Sequence, residues 1–422
     1  MLLIRQRPRD RHRHLLLLRA ELEIFRARQN SRGRKDFLDL FHQVNARARR
    51  LVFNHRNHFV WRKIQSGAEF CLCFYSEKPK HDDVKRILPL LLCVVACCLA
   101  GCAHSDSRAD FLKLIDRPRV ALTPQVEPLP TTNGLVQFHF NFASDAQNRV
   151  PGVLLVSTNF SGRRPVVIAL HGTRGSTANM MALGRKLAER GFIAVAMDAR
   201  YHGERKSGKG QNDYHNAIVR AWRGSGEHPF YYDTVWDVMR LVDYLQTRAD
   251  VDPARIGLLG ISKGGIETYL AAAADPRIAV AVPCIGVQSF RWALENNRWQ
   301  GRIATIQAAF DAAAKDAGVA KPDAKFVKSF YDRVVPGIAG EFDGPKMLPL
   351  IAPRPLLVIN GDADEHTPLP GVEECVTAAK QAYAAKGAEN NFAFIRQKKT
   401  AHQVRPESER AAIEWFVKWL QP

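Results

Sequence analysis

Short apolar runs alternate with longer amphipathic stretches from about residue 135 to the end of this 422-residue chain. A strand buried on both faces is read as an apolar, β-branched run, and apolar residues three and four apart predict a helix. Eight runs predict strands, at 135–142, 152–158, 165–172, 192–198, 255–262, 278–284, 354–361 and 392–397. The alternation predicts an α/β fold over residues 135–422, a doubly wound, mostly parallel eight-stranded sheet.

Two long stretches interrupt this alternation. Residues 199–231 form a basic, aromatic connection, and residues 286–350 form a mostly helical insertion rich in Phe, Trp and Tyr. Long connections in a compact domain are commonly lids or binding loops. The insertion is therefore expected to be a helical lid, although its aromatic residues are equally compatible with a small core of their own.

The net charge of +19 is unevenly distributed. Residues 1–83 hold 19 Lys and Arg against 9 Asp and Glu, a net of +10, whereas residues 103–422 hold 40 against 33, a net of +7. A basic protein is a candidate for binding nucleic acid, but here most of the protein is only mildly basic. We therefore expect no nucleic-acid partner.

A basic pair, an apolar run and small residues precede Cys102, in the three-part order of a secretory signal. The sequence "LAGC" at 99–102 resembles the lipobox of bacterial lipoproteins, which implies a signal peptide at 84–102, lipidation of Cys102 and a lipid anchor in the membrane. The alternative is a transmembrane anchor, but residues 87–103 would span only about 25 Å as a helix. The resemblance to bacterial lipoproteins further implies, from Ala103 in place of Asp after the cysteine, the outer membrane, facing the periplasm or the exterior, over the inner membrane.

The segments on either side of this signal carry no functional prediction. A signal peptide belongs at the start of a chain, so residues 1–83 are expected to be a basic extension that is disordered or not translated, with Val84 as the start. Residues 103–134 are polar and contain proline, which is typical of a tether. Only Cys284 and Cys375 lie beyond residue 103; Cys284 is read as a buried thiol, and a bridge between the two stays open.

The stretch "GLLGISKGG" at 257–265 follows an apolar run and precedes a predicted helix. Gly260-x-Ser262-x-Gly264 in that context matches a nucleophile elbow, in which a serine stands on a sharp strand-to-helix turn. A phosphate-binding loop would need glycine directly before the lysine and Ser or Thr after it, which this stretch lacks. Ser262 is therefore the candidate nucleophile.

A serine nucleophile needs a base, and the base needs a carboxylate to orient it. His402 lies between the last predicted strand and the final helix, whereas His366, the other downstream histidine, is read as a loop or cap residue. Among the acidic residues after the strand at 354–361, Asp364 is favoured over Asp362 because a tight turn would direct it over the sheet edge. Ser262, Asp364 and His402 follow the chain order of such hydrolases.

An oxyanion hole would use two backbone N–H groups. Those of Lys263, directly after the serine, and Thr173, in the loop after the strand at 165–172, are the candidates. His171 in the same loop is expected to be structural. No metal or cofactor is implied.

Residues 135–420 resemble the α/β-hydrolase fold, in its dienelactone hydrolase, acetyl xylan esterase and prolyl-oligopeptidase-like branch. The motifs "ALHGTRGS", "MDARYHGE", "GLLGISKGG", "VINGDADEHTP" and "AHQVRPE" carry the resemblance. It implies a serine hydrolase that cleaves small acyl esters through an acyl-enzyme. A prolyl-oligopeptidase-like peptidase or amidase is the alternative, less favoured because no propeller precedes the domain, and a non-catalytic binding lipoprotein is the second.

Overall fold

A computed structural model of the protein describes residues 107–132, 134–208 and 212–422. The predicted extension at 1–83, the signal at 84–102 and the lipidation site Cys102 lie outside the described residues. Within those ranges, no helix has both the length and the apolar character that crossing a bilayer requires.

One sheet of nine strands organises the described residues. The strands are β1 (Gln125–Thr132), β2 (Leu135–Ala143), β3 (Arg149–Ser157), β4 (Arg164–Leu170), β5 (Ile193–Met197), β6 (Val251–Ile261), β7 (Ile278–Cys284), β8 (Leu356–Gly361) and β9 (Phe392–Gln397). Their spatial order is β1-β2-β3-β5-β4-β6-β7-β8-β9. The three pairs from β1 to β5 are antiparallel, and the five pairs from β5 to β9 are parallel. The predicted, mostly parallel sheet is confirmed, with one strand more than the eight expected.

Helices follow most strands. They are α1 (Ser107–Ile115), α2 (Thr177–Glu189), α3 (Asn212–Trp222), α4 (Tyr232–Gln246), α5 (Lys263–Ala274), α6 (Phe290–Glu295), α7 (Gln300–Ala304), α8 (Gln307–Asp316), α9 (Ala324–Val334), α10 (Gly344–Met347), α11 (Leu369–Ala385) and α12 (Pro406–Leu420). Short 3₁₀ turns lie at Gly203–Arg205, Leu348–Ile351 and Glu389–Asn391.

The sheet is covered on both faces, as a doubly wound fold requires. Successive side chains of a strand point to opposite faces, and β4 divides accordingly: Ile168 packs into the core beneath α4 and α5, whereas Val167 packs into the core beneath α2 and α12. Both side chains are fully buried. This double burial explains why the central parts of β4 to β8 are continuous apolar runs rather than alternating ones.

The tether predicted at 103–134 is wrong over most of its length. Phe111 and Ile115 of α1 are buried in the core, and β1 pairs with β2 as an edge strand. Pro128 and Pro130 lie in β1, where proline is tolerated because an edge strand has N–H groups that need no partner. These residues belong to the folded domain.

The two long connections pack against each other through aromatic rings. Trp222 of α3 lies 5.8 Å and 6.0 Å, centroid to centroid, from Phe326 and Phe330 of α9, and Phe310 of α8 contacts both phenylalanines. These three phenylalanines are buried. The aromatic residues of the insertion therefore form a core, the second of the two interpretations that the sequence left open.

Cys284 and Cys375 are both buried and unbridged. Burial raises the pKa of each thiol. The interpretation of Cys284 as a buried free thiol is confirmed.

Candidate active site

Ser262 stands at the sharp turn between β6, which ends at Ile261, and α5, which begins at Lys263. Its φ of 58° and ψ of −113° lie in a region that non-glycine residues rarely adopt. The turn is possible because Gly264 approaches the backbone of β4: a Cβ at residue 264 would lie 2.5 Å from the Leu170 carbonyl oxygen. Strained backbone of this kind is often found at functional sites.

The structure brings the side chains of Ser262, His402 and Asp364 together. Ser262 Oγ lies 2.7 Å from His402 Nε2, and His402 Nδ1 lies 2.7 Å from Asp364 Oδ2. Ser262 lies in the turn after β6, Asp364 in the loop after β8 and His402 in the loop after β9. These segments meet because parallel strands end at the same edge of the sheet. Asp362, the competing carboxylate, instead faces Arg396, with 3.3 Å between Oδ2 and Nε.

Three donors surround the Asp364 carboxylate, which is fully buried. The His402 ring, the Thr367 hydroxyl at 2.8 Å and the His366 backbone N–H at 2.9 Å all donate to it. Burial alone would raise the pKa of Asp364, but hydrogen bonds from His366, His402 and Thr367 outweigh burial and hold that pKa well below its usual value. An anionic Asp364 fixes the His402 proton on Nδ1 and leaves Nε2 free to accept one.

His402 is mostly buried, and burial lowers its pKa because the low-dielectric surroundings disfavour the imidazolium. The Asp364 carboxylate opposes this effect, whereas the positive charge of Arg302 adds to it. A neutral His402 is the form that can take up a proton, so these surroundings favour a base at neutral pH.

His366 lies closer to the site than a loop or cap residue would. Its ring stacks on the His402 ring, with centroids 4.3 Å apart and an interplanar angle of 21°. Its Nδ1 lies 3.6 Å from Asp364 Oδ1. The sequence carried no signal for this stack, since it depends on how the loops after β8 and β9 meet.

The loop after β4 lies against the turn that holds Ser262. A Cβ at Gly172 would lie 3.4 Å from the Ser262 Cβ, so Thr173 is close to the serine. Within the described ranges, the Thr173 N–H has no hydrogen-bond partner, and the Lys263 N–H, at the first position of α5, has no helical acceptor. Both N–H groups are available to a ligand.

His171 has both ring nitrogens engaged inside the protein. Nδ1 donates to the Gly172 carbonyl at 2.8 Å, and Nε2 accepts from the Ala199 N–H at 3.1 Å. Burial and the nearby Lys263 cation lower the pKa of His171 to about 4. The ring is neutral and fully bonded, as expected of a structural histidine.

The Lys263 side chain is buried inside the protein. Its ammonium pairs with Glu267 one turn along α5, and both side chains are almost completely buried. Burial raises the pKa of Glu267 to about 7 although the Lys263 charge opposes this. The ion pair links the first and second turns of α5 and so helps to fix the position of the Lys263 N–H.

One set of potential metal ligands lies together among the described residues. Donor atoms of Asp364, His366 and His402 are within 4.8 Å of one another. His402 uses both ring nitrogens for Asp364 and Ser262. The donor atoms of His402 are therefore already engaged in the hydrogen bonds that link Asp364 to Ser262.

Comparison with known proteins supplies the family context. The acetyl xylan esterase (AXE1) family model matches residues 113–294. The matched segment includes α5 and Ser262, and it ends before Asp364 and His402.

Two relatives have sequences that match parts of this chain. The putative hydrolase YtaP of Bacillus subtilis (strain 168) is 26% identical over 235 residues, which cover 56% of this chain and 67% of YtaP. The 4-O-methyl-glucuronoyl methylesterase 1 of Sodiomyces alcalophilus is 29% identical over 194 residues, 44% of this chain and 36% of that protein. The chain therefore spans about two thirds of one relative and about a third of the other.

A solved structure shares the fold. Acetyl xylan esterase 1 from Thermoanaerobacterium sp. JW/SL YS485 superimposes with a TM-score of 0.56 at 16% identity, covering 74% of this chain and 94% of that one. The common architecture, the strand-to-helix turn at Ser262 and the acetyl xylan esterase match agree with one another. The chain has the α/β-hydrolase fold and is similar in sequence to acetyl xylan esterase and glucuronoyl methylesterase proteins.

Proposed function

We propose that the protein is a serine hydrolase that cleaves carboxylic esters of small acyl substrates through an acyl-enzyme. The observation that carries the proposal is the continuous hydrogen-bonded chain from Ser262 Oγ through His402 to Asp364, with both links at 2.7 Å. The AXE1 match and the esterase relatives support ester substrates.

The first half of the reaction forms the acyl-enzyme. His402 Nε2 takes the Ser262 hydroxyl proton as Oγ attacks the ester carbonyl carbon. The N–H groups of Thr173 and Lys263 donate to the carbonyl oxygen as it gains negative charge, and the N-terminal end of α5 adds a favourable field. His402 then gives the proton to the departing alcohol as the carbon–oxygen bond breaks.

The second half releases the acid. Water attacks the acyl carbon while His402 Nε2 accepts its proton, and the proton then returns to Ser262 Oγ as the acyl–serine bond breaks. Asp364 keeps Nδ1 protonated throughout and stabilises the imidazolium that forms in each half. Every proton transfer in this sequence passes through one ring nitrogen.

The proposal is tested with Ser262→Ala and a fluorophosphonate probe. Loss of the nucleophile should reduce kcat for 4-nitrophenyl acetate by about 10⁴- to 10⁶-fold with no change in melting temperature. Ser329→Ala, an exposed serine on α9, is the matched control and should keep its activity. Near-normal turnover by Ser262→Ala, or a probe adduct on another residue, would refute the assignment.

A substrate panel separates the ester hydrolase from the peptidase alternative. Short acyl esters are compared with proline-containing peptide amides at equal enzyme concentration. We expect Ser262-dependent turnover of the esters, with amide turnover far slower. Faster cleavage of the peptide amides would replace the esterase assignment with a peptidase.

A further inference from the structure

Arg302, on α7, is an arginine buried inside the insertion. It is only 3% exposed, and no Asp or Glu of the described ranges forms an ion pair with it. A buried guanidinium without a counter-charge is costly, because it has left water without gaining an anion. Lys263, a buried cation near the same site, is paired with Glu267, whereas Arg302 has no such anion among the described residues.

Two contacts hold Arg302 beside the catalytic loops. A Cβ at the preceding Gly301 would lie 2.2 Å from the Glu365 carbonyl oxygen, so α7 packs directly on the loop after β8. The buried Gln288 amide satisfies both of its ends when its nitrogen donates to the His366 carbonyl at 2.9 Å and its oxygen accepts from Arg302 Nε at 3.1 Å. His366 in turn stacks on His402.

The far end of the guanidinium has no hydrogen-bond partner in the part of the chain that the structure describes. Arg302 Nη2 is buried and has no hydrogen-bond partner, and the buried Tyr231 hydroxyl also has none. The Arg302 charge acts on both His402 and Tyr231: it lowers the pKa of His402 together with burial, and it opposes the rise that burial causes in the pKa of Tyr231. Arg302 Nη2 and the Tyr231 hydroxyl are therefore two buried polar groups without partners in the described ranges, and the charge of Arg302 acts on His402 as well as on Tyr231.

We infer that the buried guanidinium of Arg302 forms a subsite for a carboxylate carried by the substrate. The inference rests on the proposed ester hydrolysis and names its substrate class: esters that bear a free carboxylate elsewhere in the molecule. The carboxylate would accept from Nη2 and supply the missing negative charge. Such charge-assisted bonds are about twice as strong as neutral ones.

The buried acids Glu267, Asp343 and Asp364 all have other partners. Glu267 is paired with Lys263, and Asp343 is held by the Ser289 hydroxyl and by the backbone N–H groups of residues 290, 291 and 344. Asp364 accepts from His402, the Thr367 hydroxyl and the His366 N–H. A neutral group or a water molecule could bond to Nη2 but would leave the positive charge unbalanced. A monoanion balances it.

The wild-type protein provides the first test through two matched substrate pairs. On the acyl side, the 4-nitrophenyl monoester of glutaric acid is compared with the 4-nitrophenyl ester of glutaramic acid, its neutral isostere. On the alcohol side, 3-acetoxybenzoate is compared with 3-acetoxybenzamide. We expect kcat/KM to favour the carboxylate in at least one pair by about tenfold or more, and that pair identifies which side of the ester carries the charge.

Substitution of the arginine provides the second test. Arg302→Gln should reduce the carboxylate-to-amide ratio of kcat/KM in the preferred pair by about 10- to 100-fold. Arg302→Lys keeps the charge but loses the guanidinium shape, so its ratio should be intermediate. Arg298→Gln removes an exposed arginine of the same segment and should change the ratio by no more than about twofold.

The outcomes separate this inference from the proposed function. Absence of a carboxylate preference in both wild-type pairs, or a preference that survives in Arg302→Gln, overturns the inference while Ser262-dependent turnover leaves the esterase assignment intact. Absence of Ser262-dependent turnover of every ester overturns the proposed function itself. If Arg302→Gln fails to fold, the wild-type pairs and Arg302→Lys decide.

Discussion

The His366 ring lies parallel to the His402 ring, with 4.3 Å between centroids, and its backbone N–H donates to the carboxylate that His402 also contacts. His366 thereby covers one face of the proposed base, His402, and helps to orient the Asp364 carboxylate. His402 is lowered in pKa mainly by burial, and the His366 ring acts in the same direction.

Removing the His366 ring should raise the pKa of His402. In His366→Ala the base becomes better hydrated and loses a neighbour that disfavours its charged form, so the acidic limb of the kcat/KM profile should move to higher pH. His366→Phe keeps a ring over His402 and should shift the limb less. The profile is measured with 4-nitrophenyl acetate, and identical limbs in all three proteins would contradict this role.

Asp364→Asn tests the orienting carboxylate. An amide can donate to His402 Nδ1 and so favours the tautomer with the proton on Nε2, which cannot accept from Ser262. We expect kcat to fall by about 10³- to 10⁴-fold. Asp362→Asn changes the same residue type in the same loop, away from His402, and should keep more than half of the activity; an equal loss in both variants would count against the assigned geometry.

Phe111→Ala tests whether α1 belongs to the domain. The Phe111 ring is fully buried, and its centroid lies 5.0 Å from the Tyr232 ring centroid and 5.1 Å from that of Phe342. Its removal should lower the free energy of unfolding by about 3–5 kcal/mol, measured by urea denaturation. Lys113→Ala, at an exposed position of the same helix, should change the free energy of unfolding by less than about 0.5 kcal/mol. Equal stability of the two variants would support the predicted tether instead.

Cys102→Ser tests lipid anchoring. If Cys102 is the lipidated residue, the full chain expressed in a bacterial host should incorporate a clickable fatty-acid analogue and fractionate with the outer membrane, and Cys102→Ser should lose both properties. Cys98→Ser changes a cysteine four residues earlier and should keep them. Fatty-acid incorporation in Cys102→Ser would exclude this site.

The buried strands and the chain order of the proposed catalytic residues could be predicted from sequence because both depend on local pattern. β7 and β9 have the predicted bounds, and for β7 the reason is that a strand covered on both faces is apolar along its whole length. β1 could not be recognised in the same way. It is an edge strand whose prolines and polar residues resemble a linker, and only its pairing with β2 makes it part of the sheet.

Residues whose role depends on tertiary contacts were beyond the reach of the sequence. Arg302 is one basic residue in a segment that contains several, and only its burial without an anion distinguishes it. His366 has the local context of a loop residue. Its importance arises because a second loop, 36 positions later in the chain, brings His402 against it.

The backbone at Ser262 also limits which other nucleophiles this scaffold could accept. A φ of 58° is an outlier that a side chain branched at Cβ tolerates poorly. Cysteine is unbranched and of serine-like shape, whereas threonine would bring its methyl group against the turn. Cysteine at this position would therefore fit the turn and supply a thiol, whereas threonine, chemically the nearer relative of serine, is disfavoured by the conformation of the main chain.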